Sequence, residues 1–350
     1  MTARDEQINE KDTESGYLEN LLNDAATIPI DADVDGYTIE QPPWYDAAKF
    51  KRGQQFALSN RAGIVTAALC GLIAVLAIPS ILDVLNFTKR SSTPRTAYKR
   101  YILTILHTLN WYKEDMRPGT KAWKSLAYVR RIHVTSGKQA HAANAKMLVS
   151  QKDVAITQFG FVGYVVLGYQ KLGIQYDEEG MEGFVHFWRT IGYMLGLEDR
   201  FNLCTADMDS SRRRLVLVND QIIRPSLQFP SDDFVRMTNA MIDGLWCLST
   251  MLDYHAFMFL TRRLSNLPGH YYWDTEPRDG AQPIFKEFNW YSRVMLYFLM
   301  VVHEVLLNIT VFRWYFNWQF KFNTEVVNEY FPWLAIIKFG VKDAYVRIVY

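Results

Sequence analysis

The sequence predicts a mainly α-helical protein, and three observations carry that expectation. From Thr96 onward apolar residues recur at spacings of three and four, the period of one helix face. Alternating apolar and polar stretches, the mark of half-buried strands, are few. Gly, Pro and Asp punctuate the chain at 116–120, 173–180, 196–200 and 268–283, which separates helix-length segments by short loops. The pattern places helices at 98–112, 122–135, 151–171, 181–197 and 213–221, then at 231–264 with a break and at 288–319.

With 49% apolar and 15% aromatic residues in 350, the chain can bury one large core. Residues 1–40 differ in kind. They hold eleven acidic and two basic side chains with few large apolar ones, so 1–41 reads as an acidic flexible arm and 42–350 as the helical domain. Pro42, Pro43, Trp44 and Tyr45 mark a docking turn at the junction.

Thirty-eight basic against thirty-seven acidic residues leave a net charge of +1, and no basic stripe stands out, so nucleic acid is not expected as a partner. Cys70, Cys204 and Cys247 are odd in number and far apart, which suits buried reduced thiols in an intracellular protein. The first long apolar run begins only after Arg61, so no cleaved leader is expected. The sequons at Asn86 and Asn308 carry little weight in a reducing compartment. Residues 62–82 form a charge-free run of twenty-one, and as one helix it would measure roughly 31 Å, enough to cross a bilayer core. Its Ala and Gly content and Pro79 count against a span, and basic residues on both sides (Arg61, then Lys89 and Arg90) leave it without an orientation, so a core helix and a membrane helix both stay open.

The chemistry gathers around 130–133. On a helix over 122–135 the residues Trp123, Leu126, Arg130 and His133 share a face, so an arginine and a histidine point where the apolar stripe points. A lone inward histidine is commonly a satisfied core residue, but Arg130 and Arg131 beside it call for an anion, since unpaired charge is rarely buried. Haem meets both needs, with an iron for a neutral imidazole and propionates for arginine. The segment 154–169 is almost free of polar side chains apart from Thr157 and Gln158, and Gly160, Gly163 and Gly168 open its surface. It is either a tightly packed core helix or a wall against which a flat macrocycle lies.

Other candidates are weaker. His186 and Arg189 lie on the polar face of the next helix, which suits a surface role or a supporting one beside the cofactor, and His255 and His303 read as core histidines. His303-Glu304 lacks the second histidine of a zinc protease motif, and the paired Glu-x-x-His motifs of a di-iron protein are absent. No Gly-rich phosphate loop or nucleophile elbow occurs.

The runs VRRIHVTSGK, QKDVAITQFGFVGY and EGFVHFWRTIGYMLGLEDRFNLC resemble the family of rubber oxygenases (latex-clearing proteins) and the endoplasmic-reticulum-bound mpaB-like oxygenases, in the wording of its animal branch, over roughly Gln54 to Leu264. The resemblance implies a multi-helix, globin-like core with extra helices, a b-type haem, and oxidation of an apolar isoprenoid or lipid with dioxygen. It implies that ALCGLIAVLAIPSIL is a core element beside the cofactor, and it places the protein at the endoplasmic reticulum membrane or its cytosolic face. Arg130 matches the family's pocket arginine and His133 the position three residues on that can reach iron; Arg95 and Thr104 match an earlier pair. The expected cofactor contacts are His133, Arg130, Arg131, Arg95, Thr157, Gln158 and Gly160, with His133 the expected metal ligand and Arg130 and His133 the expected catalytic residues. Where bacterial members carry a histidine in the helix DVAITQFGF, this chain has Gln158 or Phe159. Three arrangements therefore stand open: His133 is the axial ligand, or His107 or His141 is, or the haem is lost and a helical lipid-binding or membrane-associated protein remains.

Overall fold

The computed structural model describes residues 14–30, 39–272 and 284–348, and among them the regular elements are all helices. Two short helices, α1 (Glu14–Leu22) and α2 (Asp24–Thr27), precede the main body. They overturn part of the flexible-arm expectation. Tyr17, Leu21 and Ala25 are buried, the Tyr17 hydroxyl donates to the Phe201 carbonyl at 2.9 Å, and Ile30 and Gln151 exchange backbone bonds with Val149 and Ile28. Composition misled because three well-placed apolar residues suffice to dock one turn of helix on an existing core. Residues 1–13 and 31–38 of that arm lie outside the described residues.

The body runs through α3 (Ala47–Ser59), α4 (Arg61–Leu76), α5 (Pro79–Thr88), α6 (Pro94–Lys113), α7 (Lys121–Ala143), α8 (Gln151–Gly168) and α9 (Glu178–Met194). It continues with α10 (Met208–Val218), α11 (Asp232–Leu245), α12 (Tyr254–Leu264), α13 (Trp290–Met300), α14 (Thr310–Phe322) and α15 (Trp333–Phe339). Local sequence sets these boundaries. Thr93 and Thr96 form a capping box with Pro94 in the first turn of α6, and Ser150 and Asp153 do the same for α8. Asp46, Thr120, Asp177 and Ser231 cap α3, α7, α9 and α11 through side-chain oxygens. The expected 231–264 helix breaks between Leu245 and Tyr254, and the expected 288–319 helix passes through a π turn at Val301–Val305 before restarting at Thr310.

The chief packed pairs are α3 with α9, α4 with α8, α6 with α11 and α7, and α12 with α13. Two of these are glycine crossings. A Cβ on Gly71 of α4 would stand 1.9 Å from the Gly160 carbonyl oxygen of α8, and one on Gly53 of α3 would stand 2.2 Å from the Gly183 carbonyl oxygen of α9. Only glycine permits that approach. The charge-free run 62–82 is thus not one helix: α4 stops at Leu76 and Pro79 opens α5. Eleven of the sixteen residues of α4 are buried, in keeping with a core helix, although α3 and α4 together, bent by 93°, are apolar and long enough to cross a membrane.

Candidate functional site

α6 and α7 lie side by side, and their facing surfaces hold the titratable groups of interest. On α6 the 3.6-residue period places Arg100, Leu103, Thr104 and His107 on one face; on α7 it groups Leu126, Val129, Arg130 and His133. His107 is buried. Its Nδ1 pairs with the Ser125 hydroxyl at 2.7 Å, the same oxygen accepts from Trp111 Nε1 at 2.9 Å, and Tyr128 stacks on the ring at a centroid distance of 5.6 Å. The Ser125 oxygen can accept from Trp111 and still either donate to Nδ1 or accept from it, according to the imidazole tautomer.

His133 differs. Burial, and next to it the Arg100 charge, push its pKa down to about 4, so the ring is neutral at physiological pH. It retains accessible surface and makes no hydrogen bond to a described residue. Arg100 has the same character. Desolvation lowers its pKa, its electrostatic neighbours are Tyr101 and the like-charged Arg90, and no carboxylate among the described residues pairs with it. Burial, and next to it the neighbouring His133, bring the His107 pKa down to about 4.

The sequence pointed to His133 and missed Arg100. The available signal was an arginine seven residues before a histidine on an apolar helix face, two turns apart. Of the other expected contacts, Arg130 is half-buried at the rim and donates to the Met194 carbonyl at 3.3 Å, which ties α7 to the end of α9. Arg131 is exposed, its guanidinium 5.6 Å from the centre of the Tyr128 ring.

Four expectations are corrected. Arg95 is exposed and pairs with Asp343 at 3.3 Å, so it holds the C-terminal segment rather than a cofactor. Gln158 is committed to the protein: its amide donates to the Trp188 carbonyl (2.8 Å) and to Asn202 Oδ1 (2.9 Å), and accepts from the Leu203 amide (3.0 Å). Thr157 donates to the Asp153 carbonyl one turn back, at 2.7 Å. The glycines of α8 face protein, since a Cβ on Gly160 would meet Val75 and Gly71, one on Gly163 the Phe159 ring, and one on Gly168 the Leu264 side chain. The tightly packed core reading of 154–169 therefore holds, and no macrocycle lies on its glycine face.

Among the remaining histidines, His303 is a satisfied core residue, bonded to the Leu299 carbonyl at 2.8 Å and to the Thr66 hydroxyl at 2.9 Å. His255, expected in the core, is exposed beside Tyr254 and Phe288. His141 is exposed in the last turn of α7, away from the interior. His186 accepts from the Asp46 amide at 3.1 Å, and Arg189 makes a two-pronged pair with Asp199 (3.0 and 2.5 Å) under the Trp44 ring. These two residues lock the 42–46 turn onto α9.

Among the described residues no three His, Cys, Asp or Glu side chains gather as a metal site. An iron held at His133 would therefore have to bring its other donors with it, as a porphyrin does, and the carboxylates of such a group would meet the unpaired Arg100. In donor chemistry alone, an imidazole for iron and a guanidinium for a carboxylate, these two residues suit haem.

Residues 55–283 match the family described as ER-bound oxygenase mpaB/B'/rubber oxygenase, catalytic domain. The chain belongs to this family. A rubber oxygenase of Streptomyces sp. (strain K30) is 25% identical over 185 residues, a match that covers 50% of this chain and 45% of that one, so the chain aligns with about half the length of this relative. The closed-state structure of latex clearing protein superposes with a TM-score of 0.53 at 16% identity over 90% of this chain and 89% of that one, which shows a common all-helical fold.

Proposed function

We propose that the protein is a haem-dependent oxygenase acting with dioxygen on a hydrophobic isoprenoid or lipid substrate. The observation that carries this reading is the α6–α7 face, where a neutral imidazole without a hydrogen-bond partner and a guanidinium without a carboxylate lie close enough to interact. His133 would hold the iron through a ring nitrogen, and Arg100 would pair with a propionate. Haem, when bound, supplies the dioxygen chemistry; the protein supplies orientation and dryness. His107, held in place by Ser125, lies near His133 and would supply a second imidazole to that face. Leu103, Leu126 and Val129 keep water from the same face and suit an apolar substrate. Family membership and the shared fold support this assignment.

The test is the visible spectrum of the purified protein before and after addition of hemin. The reading expects a Soret band with one haem per chain and a reduction of haem occupancy by roughly tenfold or more in His133→Ala, the loss of a single axial bond. A protein without a Soret band after reconstitution that still retains long-chain lipids is a lipid carrier, and the oxygenase reading falls.

A further inference from the structure

Helix α14 is apolar on more sides than the protein covers. Of its thirteen residues, TVFRWYFNWQFKF, none is buried. Val311, Tyr315, Trp318 and Phe322 recur at spacings of four, three and four on one face with Trp314 beside them, and all are exposed, Val311 by 71% and Trp314 by 67%. The side toward the protein carries the half-buried Arg313, Phe316, Asn317 and Phe320. Asn317 accepts from the Ala62 amide at 2.8 Å and donates to the Ser59 carbonyl at 2.7 Å, which pins α14 to the corner between α3 and α4. The preceding helix repeats the arrangement. Trp290, Val294, Phe298, Val301 and Val305 point outward while Leu296, Leu299 and Met300 are buried, and Trp290–Asn308 alone is long and apolar enough to cross a membrane. Twenty of the twenty-six large apolar side chains exposed on the described residues lie between Trp290 and Tyr345. Exposed apolar side chains on this scale, gathered in one stretch of the chain, mark it as a docking segment.

We infer that the α13–α14 face rests on a phospholipid bilayer, with α14 lying in the plane of the headgroups. Two features select lipid over a second copy of the chain. The exposed side chains include Trp290, Tyr291, Trp314, Tyr315 and Trp318, rings with one polar end that suit the headgroup boundary. The charges on α14 are Arg313 and Lys321, with no carboxylate. Lipid phosphates complement both, whereas a two-fold related copy would set each basic helix against itself. The nearest acidic residue along the chain, Glu325, is taken by Arg61 (3.1 Å) and Lys113 (2.6 Å). This inference does not rest on the haem assignment.

Flotation of the full chain with phosphatidylcholine vesicles, with and without phosphatidylserine, tests it. Wild type floats, more completely with the anionic lipid, and the W314E/W318E double variant loses vesicle binding by roughly tenfold or more. Phe229→Glu, which changes an 81% exposed ring elsewhere, leaves binding unaltered. Should the double variant misfold, Trp314→Phe keeps flotation and removes part of the tryptophan quenching caused by brominated lipid. A wild type that stays with the soluble fraction, a double variant that floats as well as wild type, W314F quenching equal to wild type, or a lipid-free dimer that the double variant dissolves would each overturn the inference.

Discussion

Gln158→Ala separates a structural glutamine from a cofactor contact. Three hydrogen bonds converge on this side chain, which is only 5% exposed: to the Trp188 carbonyl, to Asn202, and from the Leu203 amide. Asn202 keeps two other partners, the Cys204 amide and the Arg189 carbonyl, so its loss is partial. The Leu203 amide has no replacement, and an unpaired buried N–H costs about 1–3 kcal/mol. The space left by the amide group adds a further loss, reduced because the site is polar enough for water to enter. Together the expected destabilisation is about 3 kcal/mol. Thr157→Ala next to it removes one bond within a helical turn and should cost about 0.5 kcal/mol. Urea titration of both variants, read as a shift in midpoint at constant slope, measures the difference. A Gln158→Ala variant within 1 kcal/mol of wild type, or one whose only defect is lost haem, would refute the assignment.

The other predictions concern packing and charge. Gly71→Ala, despite a helix-propensity gain near 1 kcal/mol, should lower stability by roughly 3 kcal/mol because α4 and α8 must part to admit a methyl group 1.9 Å from the Gly160 oxygen; thermal melting reads it. Arg100→Leu should raise the stability of the haem-free protein by about 1 kcal/mol, since it removes a desolvated and unpaired charge, while hemin titration shows weaker binding. His107, His133, His270 and His303 all have pKa values pushed down to about 4, chiefly by burial. Above the unfolded value near 6.5 they are neutral in both states and the pH has no effect through them. Below it the unfolded chain takes up protons that the folded one refuses, so stability should fall steadily from pH 6.5 to 4 and level off beneath that. Replacing the well-buried His303 by Gln should flatten part of this slope in pH-dependent urea titrations.

Helix positions were legible in the sequence because the apolar period and the capping residues agreed, as at Thr93-Pro94 and Ser150. The inward Arg130–His133 face was legible for the same reason. What spacing cannot supply is the partner across the gap. Gln158 and Gly160 read as an open wall because glycine gaps look alike whether a ligand or another helix fills them, and only the α4 crossing decides. Arg95 and Arg100 are five residues apart on one helix, and which turns inward depends on where α7 and the C-terminal Asp343 lie. The docked α1 was hidden by its acidic surroundings. The outward aromatic period of 311–322 was present in the sequence, but periodicity gives a face without saying which side of it meets protein.

The two glycine contacts also bear on how a guest reaches the interior. Where backbone rests on backbone, no side chain can swing aside, and thermal breathing that would admit a bulky molecule is suppressed. α3 with α9 and α4 with α8 therefore behave as a fixed rear wall. α6 and α7 instead carry longer, half-buried side chains such as Leu103, Leu106, Trp123 and Val129, whose rotamers can change without moving backbone.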